Sequence, residues 1–436
     1  MQPGVHFLDS VIERSYTTAE TAVPVFVGYT EKVPDADTDI KVYAIASLVQ
    51  YEEKLGGPAY NRISIGLWIA RCALYEAVRH YFESGGGPCF VASVGRYTDL
   101  TKATAGGIVS ALGSDALFAA ISCEPSISLL SIPDLALFAD DQVTDLQSVW
   151  QAALAACECY PRLFVLLDPP SSFEAAKNCL TWLNQMNKTG FKGAARGAAY
   201  WPYLNIRYDT SAGESGRTAE SYARTAETPF FSRCIPPSAA VAALIQRTDR
   251  ERGIWKAPAN ESLPHVIKPI ASHQLGEQLF NENGASINLI RSFPGRGVRV
   301  WGCRTLVSDP ASPWRYVQVR RLLSYIESNL AELGRFVVFE PNNEITWLKL
   351  KGLSRSWLRK LWQKGGLFGS QENQAFRLLL GLGESMTEED VRAGKLIMHI
   401  FVAAQYPAEF IQLQVQLNTS EANAPASSLT NRSTLA

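Results

Sequence analysis

Apolar residues in the first half of the chain alternate between two rhythms. Continuous β-prone stretches at 22–29 (AVPVFVGY), 88–95 (PCFVASVG), 132–138, 162–167 (RLFVLL) and 198–208 (AAYWPYLNIRY) each read as a strand. Segments of helical period lie between them. The longest apolar one, 64–87 (SIGLWIARCALYEAVRHYFESGGG), places Ile65, Trp68, Ile69, Cys72, Tyr75 and Arg79 at helical spacing. It also carries Leu67, Leu74 and Val78 on its opposite side, so it predicts a helix buried on most faces and ended by the glycines at 85–87. Further helices are predicted over 141–159, capped by its early aspartate, and over 172–186. Strands apolar throughout, alternating with helices, predict a mixed α/β (α+β) fold with a sheet covered on both faces.

The pattern changes after residue 236 to helix, loop and short strand. Residues 347–363 predict a helix with Trp347, Leu350, Leu353, Trp357 and Leu361 on one face. Residues 396–404 (LIMHIFVAA) predict a strand after a helix start at Glu388, and 408–418 (AEFIQLQVQLN) alternates like another. The tail 419–436 has no aromatic residue and only two charged ones, Glu421 and Arg432, and reads as disordered. At the other end, 3–13 (PGVHFLDSVIE) reads as an extended arm too short to fold alone. Polar loops are predicted around Asp35, Asp37 and Asp39 and over 210–228. No internal repeat is visible.

Charge adds a local feature. The 436 residues hold 41 Lys plus Arg against 42 Asp plus Glu, so no global field draws the chain to nucleic acid or an anionic membrane. Two clusters stand out within that balance. Residues 291–321 carry seven arginines (Arg291, Arg296, Arg299, Arg304, Arg315, Arg320, Arg321) against one acid, Asp309. The helix at 347–363 sets Lys351, Arg355 and Arg359 in a row at steps of four, with no acid between residues 347 and 364. Such a row is a solvated face or a docking stripe for an acidic partner. Nucleic acid is the weaker reading because no aromatic stacking platform accompanies it.

Candidate chemistry is sparse. Asp168 ends an apolar strand before Pro169 and Pro170, a place where carboxylates do catalyse in α/β folds; the plainer reading is a strand terminus whose carboxylate receives backbone donors. No dinucleotide or P-loop glycine motif and no nucleophile elbow is present. The five histidines (His6, His80, His265, His273, His399) have no ligand spacing. The eight cysteines (Cys72, Cys89, Cys123, Cys157, Cys159, Cys179, Cys234, Cys303) form no C-x-x-C pair and read as reduced packing residues. The first residues lack a secretory pattern and no apolar run is long enough to span a bilayer, so synthesis and folding in the cytoplasm are expected.

Several long motifs occur in one order. PGVHFLDSVIERS followed by AVPVFVGYTEK (22–32) resembles the opening of contractile tail sheath proteins. PPSAAVAALIQRTDRERGIWKAPANE (236–261), the segment 287–327 beginning INLIRSFPGRGVRVWG, FEPNNEITWLKL (339–350), LRKLWQKGGLFG (358–369) and the segment 388–416 are similar to that family's C-terminal half. The likeness is weaker across 30–235. In place of an expected small residue stands Cys303, and the short link near 209–235 argues against a large outer decoration.

The resemblance implies a structural subunit, not an enzyme, without catalytic residue, cofactor or metal. It implies six-subunit rings stacked helically around an inner tube, and contraction that drives the tube through a target envelope. Partners would be the chain itself, the inner-tube protein, baseplate and cap proteins and sheath paralogues, without nucleic acid or membrane insertion. The implied division is an arm at 1–21, α/β domains at 22–235, a tube-facing domain at 236–407, and a strand arm with tail at 408–436. Val5, Phe7 and Leu8 and Phe410, Ile411, Leu413 and Val415 would add strands to neighbouring subunits. Lys351, Arg355 and Arg359 would face the tube. The RTDRERG and RSFPGRGVRVWG segments would be architectural, with buried Arg–carboxylate pairs. A baseplate or sheath-end component and an α/β enzyme with an unrecognised site are the alternatives.

Overall fold

The computed structural model describes residues 21–33, 40–58, 60–64, 67–70, 72–101, 103–206, 230–232, 234–338 and 340–407. The chain divides into two compact units, Met1–Gln405 and Tyr406–Ala436. The expected arms at 3–13 and 408–418, and the loops at 35–39 and 210–228, lie outside the described residues, and so do Val5, Phe7, Leu8, Phe410, Ile411, Leu413 and Val415.

The first unit is built on an eight-stranded sheet. Its parallel strands are β1 (Pro24–Thr30), β5 (Cys89–Arg96), β6 (Leu129–Ser131), β7 (Phe164–Leu167), β8 (Gly197–Trp201) and β13 (Ile287–Phe293). Antiparallel strands flank them: β2 (Val42–Ile45) beside β5, and β14 (Gly297–Trp301) beside β13. The order is β14-β13-β8-β7-β6-β1-β5-β2. The strand order therefore reverses between β1 and β6, the switch point of a doubly wound sheet. The sheet takes strands from both sides of residue 236.

All seven residues of β1 are buried, because helices cover both faces. Val25, Val27 and Tyr29 enter one core with helices α3 (Ala105–Leu112), α4 (Asp115–Ser122), α5 (Val143–Cys159) and α6 (Phe173–Lys188). Phe26 points the other way, into a core with α1 (Leu48–Leu55), α2 (Leu74–Glu83) and α7 (Ser238–Arg252). The outer edge of β14 is closed by the preceding loop, whose Asn260 and Leu263 amides donate to the Val300 and Val298 carbonyls. The apolar stretch Ala105–Ser122 is two helices, because Ser114 starts α4 and its side chain accepts from the Leu117 amide.

Four sequence expectations change. The stretch 64–87 is not one helix: Leu67–Ala70 is strand β4, paired with β3 (Tyr60–Ser64) and with β10 (Phe230–Ser232), and α2 begins only at Leu74. Residues 132–138 are not a strand. β6 ends at Ser131, and Pro133 starts a 3-10 turn, Pro133–Leu137. Helix α5 begins at Val143 with Gln142 before it and no side-chain cap, so Asp141 plays no capping part. The 198–208 run is two strands, β8 and β9 (Leu204–Ile206), separated at Pro202. Helix α6 matches its expected place, with Ser172 accepting from the Ala175 amide.

A further layer follows: α8 (Val317–Gly334), α9 (Glu344–Gln363) and a two-stranded antiparallel sheet of β15 (Phe376–Leu379) and β16 (His399–Val402). Leu322, Ile326, Leu330 and Leu333 of α8 pack with Leu358 and Leu361 of α9 and Phe376 of β15. Four of the seven arginines at 291–321 are core residues. Arg321 makes a bidentate pair with Asp249 of α7 at 3.0 and 2.5 Å, both side chains under 5% exposed. Arg304 reaches the Asn281 carbonyl and stacks on Phe280, Arg315 donates to the Glu282 carbonyl, and Arg320 pairs with Glu327 over Trp314. The buried pair expected of RTDRERG is thus present. The hairpin of RSFPGRGVRVWG differs: Arg291 pairs with the exposed Glu277, while Arg296 and Arg299 reach Asn260 at the surface.

Candidate partner-binding surface

The strand ends are where a doubly wound sheet holds ligands, so they come first. At the β1/β6 switch point Asp134 is fully buried, and its carboxylate accepts from the amides of Tyr29 (2.7 Å), Ala73 (2.7 Å) and Leu74 (2.9 Å). These donors include the N-terminus of α2, which would otherwise attract an anion. The crevice is filled by the chain itself: a Cβ on Gly28 would come within 2.4 Å of Asp134 Oδ2. Asp168 has the same use. It accepts from the Ser238 amide at 2.8 Å and the Ser238 hydroxyl at 2.5 Å, holding the start of α7. Sequence reading found Asp168 but missed Asp134, hidden in a segment taken for a strand.

A cleft of about 50 Å³ beside Arg162, Arg321 and Tyr325 is small for a substrate. An open depression of about 490 Å³ is lined by Glu31, Lys32, Glu53, Lys54 and Arg96, with both signs interleaved. Among the described residues no group of His, Cys, Asp and Glu is arranged to hold a metal. None of the eight cysteines is in a disulfide, and five are buried, Cys303 included.

The C-terminal layer offers surfaces instead. Helix α9 starts at Asn343, whose side chain accepts from the Thr346 amide at 3.1 Å. Its buried stripe is Thr346, Leu350, Ser354, Leu358 and Leu361. Of the expected apolar face, Leu350 and Leu361 are buried, while Trp347, Leu353 and Trp357 are half-buried flanks. The fully buried Leu358 was not singled out by sequence.

The three cations lie on the outer side, and each meets an acid from elsewhere. Lys351 Nζ is 2.7 Å from Glu384, and Arg355 and Arg359 each place Nε 2.6 Å from one oxygen of Glu372. Hydrogen bonds from Arg359 and Arg355 lower the Glu372 pKa, and the bond from Lys351 lowers that of Glu384. Three cations face two carboxylates, leaving one unit of positive charge, with Lys360 and Lys364 exposed nearby. The acids stand 13 to 33 residues away in sequence, so helix periodicity could not reveal them.

The β15–β16 sheet is two-sided. Phe376, Leu378, Ile400 and Val402 pack inward, whereas Arg377 and Leu379 pair with Phe401 and His399 on the outer face. Neither strand has a second partner among the described residues. A pair of strands alone is marginal in water and gains from added strands.

The model for the phage tail sheath C-terminal domain matches residues 309–418. A chain in the contracted baseplate structure of the anti-feeding prophage is 32% identical, with a TM-score of 0.76 over 96% of this chain and 99% of that one. A chain of the contracted PVC sheath complex, an extracellular contractile injection system, is 27% identical, with a TM-score of 0.64 over 97% and 99%. The tail sheath protein of Enterobacteria phage T4 is 26% identical over 31% of this chain, a match spanning 21% of that protein. The match to the sheath protein of Vibrio phage KVP40 likewise spans only 28% of its length. The chain belongs to the contractile tail sheath protein family and is a structural protein of a contractile injection system.

Burial outweighs the amide donors at Asp134 and pushes its carboxyl up to about 6; at Asp168 burial outweighs the Ser238 donors and pushes it up to about 7. Both exceed the unfolded value of roughly 3.9. Folding therefore takes up protons between these values, and stability present below about pH 4 is lost as pH rises through 6 to 7. Asp168→Asn keeps an acceptor for the Ser238 amide and removes one titration. In urea unfolding from pH 4 to 8, wild type should lose stability relative to Asp168→Asn as pH rises. Parallel curves would remove Asp168 from this account.

Proposed function

We propose that this protein polymerises as stacked six-subunit rings around an inner tube and contracts to drive that tube through a target cell envelope. The observation that carries this reading is likeness along nearly the whole chain to a chain of an injection particle solved in its contracted state. In this reading residues 1–21 and 408–436 are arms, 22–235 are α/β domains that include the outer part, and 236–407 hold the domain that faces the tube. Assembly takes place in the bacterial cytoplasm, with baseplate and cap proteins closing the ends.

The two-stranded sheet supports strand donation. The run 408–418 alternates Ile411, Leu413 and Val415 with three glutamines, a pattern suited to a strand with one covered face. Val5, Phe7 and Leu8 supply the other arm. Each main-chain bond contributes about 1 kcal/mol net, so a strand of several residues joins subunits firmly while its linker bends. Deleting 408–436 should abolish polymerisation without lowering the melting temperature of the free subunit; tubules seen by electron microscopy from the truncated chain would refute strand donation.

The stripe of Lys351, Arg355 and Arg359 supports contact with an acidic tube. Glu372 and Glu384 hold these cations in the free subunit and give them up to the tube's carboxylates, an exchange of exposed ion pairs worth about 0–1 kcal/mol each. Reversing all three cations to glutamate should prevent loading onto tubes in a co-sedimentation assay. Normal loading by that variant would end the proposal.

A second reading has its own support. The match to the anti-feeding prophage baseplate chain (32%, TM-score 0.76) exceeds the match to the helical sheath chain of that particle (28%, 0.65). This favours a specialised sheath ring next to the baseplate. Immunogold labelling of intact particles decides: label along the whole trunk supports the main sheath, and label confined to one end supports the end ring.

A further inference from the structure

The outer face of α9 carries more than cations. Ile345, Leu348, Gly352, Arg355 and Arg359 follow one another at steps of three, four, three and four, which puts them on one line along the helix. All five are exposed. Ile345 is 76% exposed and Leu348 62%, among the most exposed large aliphatic side chains described, and neither enters a core cluster.

Gly352, between Leu348 and Arg355, has no internal explanation. It sits mid-helix without a positive φ, and a Cβ built there meets nothing within 4 Å. Glycine at such a place costs the helix about 1 kcal/mol relative to alanine. Within the subunit nothing requires it, whereas a partner's backbone crossing the helix at this point would. The helix thus presents an apolar pad, a notch and a cationic end. Pad and cations are separated by roughly 16 Å at 1.5 Å per residue.

We propose that this line is a bipartite docking face for the inner tube. Ile345 and Leu348 would enter an apolar recess, a tube segment would cross at Gly352, and tube carboxylates would take Arg355 and Arg359. The inference rests on the tube reading above and deepens it. The tube is the occupant because the pad is continuous with the cationic end, which selects an acidic surface. Ion pairs give orientation and salt dependence; the pad gives contact that salt does not weaken.

The test measures binding of full-length subunits to purified cognate tubes, at low and high salt, together with self-polymerisation without tubes and melting temperature. Gly352→Leu should melt no lower than wild type yet bind tubes about tenfold more weakly, because it fills the notch. Ile345→Ser with Leu348→Ser should also lose about tenfold, a deficit that persists at high salt, while self-polymerisation stays normal. The conservative pair Ile345→Val and Leu348→Met should bind as wild type. Wild-type binding by both Gly352→Leu and the serine pair overturns the docking face, while loss of loading on reversing the three cations would still uphold the tube reading. If the cation reversal loads normally but the serine pair does not, the bipartite assignment and the charge reading both fall. If the serine pair stops polymerising without tubes, the pad is a sheath–sheath contact and the inference is overturned.

Discussion

The buried pair of Arg321 and Asp249 fixes how the C-terminal layer stands on the sheet. Asp249 lies on α7, whose apolar face is sealed against the sheet, and Arg321 lies on α8, which carries α9 and the small sheet. Two charges taken out of water gain little net stability, but removal of one partner costs roughly 3–5 kcal/mol because the other is left buried and uncompensated. Such a contact is therefore stringent about geometry. The guanidinium fork meets the carboxylate in one orientation, and α8 is locked at that angle. The direction in which α9 presents its outer face follows from that angle.

The same economy of polar groups closes the sheet. In doubly wound folds the strand ends and helix N-termini are open to ligands. Here Asp134 and Asp168 spend those donors internally, one on α2 and one on α7, and Gly28 lets the carboxylate come close. At these two strand ends, the places that hold ligands in other doubly wound folds are taken by the chain's own carboxylates. Among the described residues, the C-terminal layer is what offers surfaces to a partner: a two-stranded sheet with no third strand and a helix with an exposed apolar and cationic line.

Much of this was legible in sequence where signals are local. Continuous apolar strands, the helix over 172–186 and two residues of the α9 stripe, Leu350 and Leu361, could be read from local pattern. Prolines decide the misread runs at 132–138 and 198–208 locally; elsewhere partners distant in sequence decide the outcome. Leu67–Ala70 is a strand because β10, about 160 residues on, pairs with it, whereas its apolar pattern suits a helix equally well. The run 291–321 looks like one basic patch, yet Arg304, Arg315, Arg320 and Arg321 are core residues. Charge counts along the chain cannot tell an arginine that binds a carbonyl inside from one that faces solvent. The acids that hold the α9 cations were missed for the same reason.

On the proposed function, α9 and the β15–β16 sheet are two sides of one small body. The buried stripe of α9 supplies Leu358 and Leu361 to the core that also contains Phe376 of β15. Packed interiors do not shear continuously, so the two move together. Strands donated to that sheet would tie subunits through several main-chain bonds of about 1 kcal/mol each, while exposed ion pairs on α9 contribute about 0–1 kcal/mol. The strengths therefore differ on opposite sides of one rigid element. A rearrangement of the ring would break the weaker contacts first, freeing the tube while the subunits stay joined. In that event the own-chain carboxylates Glu372 and Glu384 would ease release, because the cations would return to partners already in place rather than to bare solvent.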